Sequence, residues 1–156
     1  MKAADQTVHR DVVDVTAVLN HKRRNGTLTE KTAPFLTRQV TCTNDSDGHV
    51  RAAVTLHWPD GTYTDGVGVE ADSTTALFSA YLNATFSVSA KVASVHTVTC
   101  VASLLESGLG AEPATHVELR CHRDTQPAAA LGTHTDQYEA AWQAVSDMFT
   151  WVLLES

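Results

Sequence analysis

Apolar positions recur along this chain in two rhythms, a period of two and a period near 3.6, and the order of those rhythms predicts the elements. Residues 8–24 carry Val8, Val12, Val13, Val15 and Val18 in a mixed but roughly helical spacing, which Asn25-Gly26 ends. Thr32, Ala33 and Pro34 form a loop. Residues 35–43 are rich in β-branched and apolar types and stop at the turn cluster Asn44-Asp45-Ser46-Asp47-Gly48, which predicts a strand. Residues 50–57 alternate in part and meet Pro59-Asp60-Gly61, a hairpin signal, and residues 63–68 make a short third strand. From Asp72 onward the pattern is that of a helix packed on a sheet.

The second half repeats the plan. Residues 95–105 are β-branched and apolar, and Gly108-Leu109-Gly110 breaks them. Residues 115–122 alternate cleanly, with Val117, Leu119 and Cys121 on one side and His116, Glu118, Arg120 and His122 on the other. A turn at Asp124 to Pro127 leads to a short strand over 128–132 and a closing helix over 136–154.

The halves share landmarks. Gly68 is followed by Asp72, Ala76 and Ala80, and Gly132 by Asp136, Ala140 and Ala144, at the same spacing. A glycine lets the chain leave a strand with unusual dihedrals. An aspartate caps the helix by accepting from its free N–H groups. Alanines at i and i+4 share a face and let the helix approach the sheet. The pattern predicts an α+β fold of two βββα units. The first spans about 35–85 and the second about 92–154 of a single domain over 35–156, behind an N-terminal, partly helical entry segment over 1–34.

Composition narrows the class. The 156 residues suffice for one core, and 43% hydrophobic with 19% charged residues fits a globular domain. Eleven basic against 18 acidic residues give a net charge of −7, which argues against nucleic acid or an anionic membrane as partner. No apolar run is long enough to span a membrane, and MKAADQTVHRDVV lacks the apolar core of a signal peptide, so a cytoplasmic location is expected. Cys42, Cys100 and Cys121 are widely spaced with no CxxC, which suits reduced thiols rather than zinc or a dithiol site.

Three stretches resemble the C-terminal regulatory domain of 2-isopropylmalate synthase, the leucine-sensing, dimerising domain also found in citramalate synthase. Residues 66–77 (GVGVEADSTTAL) are similar to the family's Gly-x-Gly-Pro-x-x-Ala helix start. Residues 107–119 (SGLGAEPATHVEL) are similar to its Gly-x-Asp-Ala-x-Ala-x-x-Tyr-Val-Glu strand, and 131–145 (LGTHTDQYEAAWQAV) to its closing strand-to-helix segment. The likeness covers roughly 35–150. It implies two βββα units related by a pseudo-twofold, a homodimer, and a pocket for a small metabolite such as a branched amino acid or related acid.

Carried over by position, that pocket takes Glu70, Ala71, Thr97, Cys100, Leu104, Ala111, Pro113 and Thr133. Glu70 stands where the family has an apolar residue, Val69 where it has proline, and Cys100 where it has an aromatic. A buried carboxylate costs several kcal/mol unless paired, so Glu70 is expected either to face solvent or to meet a cationic group. The family's metal-dependent catalytic barrel does not fit in this length, and no His-x-His occurs; with Met1 at its start the chain is expected to be free-standing.

Other chemistry is thinly supported. His116 and His122 lie about 20 Å apart along a strand, too far for one ion, and His96 and Cys100 about 13 Å apart, too far for a nucleophile–base pair. No metal site and no cofactor is expected. His21, Lys22, Arg23 and Arg24 form a basic helix end, solvated or docked on an acidic partner. Three functions remain open: a ligand-binding, dimerising module; a small enzyme using Glu70, Cys100, His134 and Asp136 as acid–base groups; and a ligand-free dimerisation adaptor.

Overall fold

The computed structural model describes residues 11–45, 47–105 and 114–154. The elements run β1 (Val13–Asp14), α1 (Val15–Arg24), β2 (Leu36–Asn44), β3 (Val50–His57), β4 (Tyr63–Glu70), α2 (Ser73–Phe86), a 3-10 turn (Ala90–Ser94), β5 (Val95–Leu105), β6 (Ala114–Arg123), β7 (Gln126–His134) and α3 (Gln137–Leu154). The class is α+β. One antiparallel sheet has the order β2, β3, β4. The other has the order β1, β7, β6, β5, with β1 parallel to β7. Each run of three antiparallel strands is followed by its helix.

Strand patterning set the buried faces. Val50, Ala52, Val54 and Leu56 alternate inward along β3, and Val117, Leu119 and Cys121 along β6. α2 packs on β3 and β4, α3 packs on β6 and β7, and the two helices also touch each other. Phe78 and Phe149 meet at 5.1 Å between ring centroids, and Tyr81 and Phe149 at 5.7 Å. Each helix is therefore apolar over most of its circumference, as a helix buried on two sides must be.

The repeat is deeper than its landmarks. β2 slips register between Thr37 and Gln39, and β5 slips between Thr97 and Thr99. Thr37 stands opposite Leu56, and Thr97 opposite Cys121, the matching inward position of β6. The same bulge thus recurs at the same place in both units. Gly68 and Gly132 also match, but their role differs from strand exit. Both lie inside strands, and the positive-φ glycines are Gly26, Gly48 and Gly61. A Cβ on Gly68 would overlap the carbonyl of Ala76, and one on Gly132 the carbonyl of Ala140. The missing side chain is what lets each helix backbone lie on its sheet.

Several boundaries moved. The N-terminal helix begins at Val15, because Val13 and Asp14 pair with Ala128 and Ala129 instead of coiling. Asp14 caps the helix, its Oδ1 accepting from Ala17 N–H at 3.1 Å. Residues 11–24 thus dock on the second unit: Val15 and Leu19 are fully buried, and Arg23 reaches Asp147 at 2.8 Å. β4 extends to Glu70, β7 covers 126–134, and the 3-10 turn had no counterpart in the pattern.

Candidate functional site

The two strand-to-helix junctions open onto one cleft of about 490 Å³. Asn44 at the end of β2, Val50 at the start of β3 and Val117 of β6 contribute walls. Ala71, Asp72, Ser73 and Thr74 enter from the first junction, and Gln137 and Tyr138 from the second. Ser73 and Thr74 follow the cap Asp72 as Gln137 and Tyr138 follow Asp136, so the same two positions of each repeat line the cleft.

The caps hold both helix starts in place. Asp72 Oδ1 accepts from Thr75 N–H at 2.8 Å, and its Oδ2 from the Thr75 hydroxyl at 3.0 Å. Asp136 Oδ1 accepts from Tyr138 N–H at 2.8 Å. Asp136 is thus a capping group, and its own N–H donates to His134 Nδ1 at 3.0 Å. The cleft offers one carboxylate (Asp72), hydroxyl and amide groups, and two buried valines, Val50 and Val117. Among the described residues its lining contains no Lys, Arg, His or Cys. That inventory suits recognition of a small polar molecule with an apolar part. It contains no nucleophile and base in contact.

The residues expected at the site fare unequally. Ala71 lines the cleft. Glu70 does not; its Oε2 accepts from the Ser79 hydroxyl of α2 at 3.0 Å, so its partner is a neutral group of its own unit rather than solvent alone or a cation. Thr133 is exposed beside His116, with 3.3 Å between its hydroxyl and the ring Nδ1, and its N–H donates to Gln143 Oε1. For Thr97, Cys100 and Leu104 the strand register is described: they stand opposite Cys121, Leu119 and Thr115. Ala111 and Pro113 lie outside the described residues. Glu70 and His134 occupy matching ends of β4 and β7 in different units, and neither lines the cleft. Among the described residues, the contact within the set Glu70, Cys100, His134 and Asp136 is the Asp136 backbone N–H on His134 Nδ1, and it joins no two of their side chains.

Reading the pocket residue by residue missed Asn44, Val50, Ser73, Thr74, Val117, Gln137 and Tyr138, and gave Asp72 only its capping role. The available signal was the repeat itself, since the cleft takes the same two first-turn positions from each unit.

Elsewhere, polar groups are spent on structure. The Tyr81 phenol, fully buried between the helices, meets the Thr37 hydroxyl at 2.7 Å and accepts from Trp142 Nε1 at 2.6 Å. Burial pushes its pKa above the usual tyrosine value. A second cleft, of about 420 Å³, lies beside this network and has Arg23 and Arg38 among its walls. Arg23, from the basic helix end, is held by Asp147 and by Asn20 at 3.0 Å. Burial raises the Cys42 thiol pKa, which weakens it as a nucleophile. No described helix is long and apolar enough to cross a membrane. In comparisons with known proteins, no family model and no curated protein matches the chain.

Proposed function

We propose that this chain is a small-molecule-binding, dimerising module of regulatory type, built on the plan of the regulatory domain of 2-isopropylmalate synthase and citramalate synthase. The observation that supports it is the cleft at which both helix starts of a duplicated βββα scaffold converge. The ligand is a small amino acid or a related 2-oxo or 2-hydroxy acid. Its carboxylate takes hydrogen bonds from Ser73, Thr74 and Gln137, where two helix N-termini favour negative charge. An ammonium group is drawn to Asp72, and a short hydrocarbon chain lies on Val50 and Val117. Regulation follows when the ligand prefers one arrangement of a homodimer over another.

The test is thermal unfolding against a panel of amino, 2-oxo and 2-hydroxy acids. A true ligand at about 100 times its Kd adds about 2.7 kcal/mol of stability. Asp72→Asn keeps a capping side chain but removes the charge, so it weakens amino acids and spares the acids that lack an amine. Absence of a shift with every compound would count against the sensing role.

A further inference from the structure

Sheet edges are where chains join, and natural proteins protect them with bulges, charges, short strands or covering segments. In the described structure three of the four outer edges carry a bulge or a covering strand. β2 and β5 carry bulges at Thr37–Gln39 and Thr97–Thr99. The β7 edge is covered by β1, which is two residues long, and by Thr16, whose hydroxyl accepts from Leu131 N–H at 2.7 Å and donates to Leu131 C=O at 3.3 Å. The fourth edge, β4, carries Asp65 and Glu70 and the Asn83 amide on its Val67 carbonyl, but it has neither a bulge nor a covering strand among the described residues. It pairs with β3 in unbroken register from Val50–Glu70 to His57–Tyr63, and no other strand lies beyond it.

The surface around that edge is apolar. Val67 is 38% exposed, Val69 45%, and Phe86 and Val88 at the end of α2 are 55% and 50%. Leu82, Asn83, Phe86, Ser87, Ala93 and Val95 line an open groove of about 410 Å³ between the end of α2, the 3-10 turn and β5, and Asn83 connects it to Val67. Leu131 is the β7 counterpart of Val67, and both outward-facing carbonyls take a side-chain donor, Thr16 in one unit and Asn83 at 2.7 Å in the other. The second unit is covered by a strand and a helix, β1 and α1, and no described segment covers the first in the same way.

We infer that the outer edge of β4 docks on β4 of a second copy, antiparallel about a twofold axis near Val67, joining two three-stranded sheets into one. The inference rests on the dimerising part of the reading above. The charge pattern of the strand favours this occupant. An antiparallel pairing centred on Val67 sets Val67 against Val67 and each Asp65 against Val69, so no two carboxylates face each other. Asp65 is already held by the Thr55 hydroxyl at 2.6 Å. The Val67 N–H supplies the central bonds, and its carbonyl has a second lone pair beside the Asn83 amide. An isologous pairing of this kind closes on itself and does not propagate into fibres.

The experiment is sedimentation of the full chain across a dilution series, with Val67→Lys and, as control, Val12→Lys at another exposed valine. Parent and control should dimerise. Val67→Lys, with its circular dichroism and melting temperature unchanged, should weaken the dimer roughly a hundredfold or more, because two ammonium groups then face each other. Val67→Cys should form an intermolecular disulfide under mild oxidation, mapped by peptide analysis against the parent chain. A parent dimer that survives Val67→Lys and gives no Val67→Cys bridge overturns the β4 edge while leaving dimerisation standing. A monomeric parent at all concentrations overturns both, and the ligand cleft keeps its own test.

Discussion

The outer edge of β7 and the outer edge of β4 are built alike and finished differently. Each belongs to the third strand of a unit and is followed by the helix that packs on it, and both start from the same glycine–aspartate–alanine framework. Over β7 the chain lays α1, burying Val15 and Leu19 and pairing Arg23 with Asp147. Over β4 no described element is laid, and Phe86 and Val88 are exposed. A duplicated unit thus supplies one scaffold twice, and the covering segment makes one copy an inner wall while leaving the other available. The matching ends of the units meet at the cleft, and the unmatched face is the one that no described segment covers.

The sharpest way to break the comparison is at the helix–sheet contact. Gly66 has a Cβ position that overlaps Ala80 and Ala84, whereas the matching residue of β7 is Ala130, buried without difficulty. Gly66→Ala is expected to cost about 4 kcal/mol, because backbone and not a flexible side chain stands in the way. Ala130→Gly should cost about 1 kcal/mol. Chemical denaturation of the two variants checks this, and equal costs would mean that the helices sit alike on both sheets. Next in size is Leu19→Ala, which removes a fully buried side chain of the covering helix; a loss of about 3 kcal/mol is expected. If α1 is only an appendage, the loss will be near zero.

Tyr81→Phe probes the junction between the units. It leaves Trp142 Nε1 and the Thr37 hydroxyl without their shared partner and should cost about 1–2 kcal/mol, read by urea unfolding. The smallest effect concerns Asp147, the counterpart of Asn83. Burial raises its pKa above 3.8, against the opposing influence of Arg23. A raised carboxylate favours the folded state when protonated. Its contribution is full below the unfolded value and is lost as pH rises through the higher folded value. Asp147→Asn should therefore flatten this part of the stability profile, with a change under about 1 kcal/mol at neutral pH because Arg23 is partly exposed. A steeper profile in the variant would contradict the assignment.

The α+β plan was legible because β3, β6 and both helices are regular, and their periodicity reports burial directly. The glycine–aspartate–alanine signature located both helix–sheet contacts, although the physical reason proved to be a missing Cβ rather than backbone freedom. β1 was not legible: two residues, Val13 and Asp14, have no period, and only the β7 edge makes them a strand. The cleft was harder still. Ser73, Thr74, Gln137 and Tyr138 are ordinary first-turn residues, and nothing local says that two helix starts will meet. Glu70 drew attention by chemistry alone, and a single hydroxyl, Ser79, accounts for it. Pairwise partners of this kind depend on how a helix is rotated over its sheet, which spacing does not encode.

The central claim is that the cleft between the matching junctions is a ligand site. Titrating the labelled protein with branched amino acids and their 2-oxo and 2-hydroxy counterparts, while following backbone amide resonances, tests it most directly. The account predicts saturable shifts concentrated at Asn44, Val50, Ala71 to Thr74, Val117, Gln137 and Tyr138, with at least one of the compounds. Shifts confined to the Arg23–Arg38 cleft, or none with any compound, would contradict it.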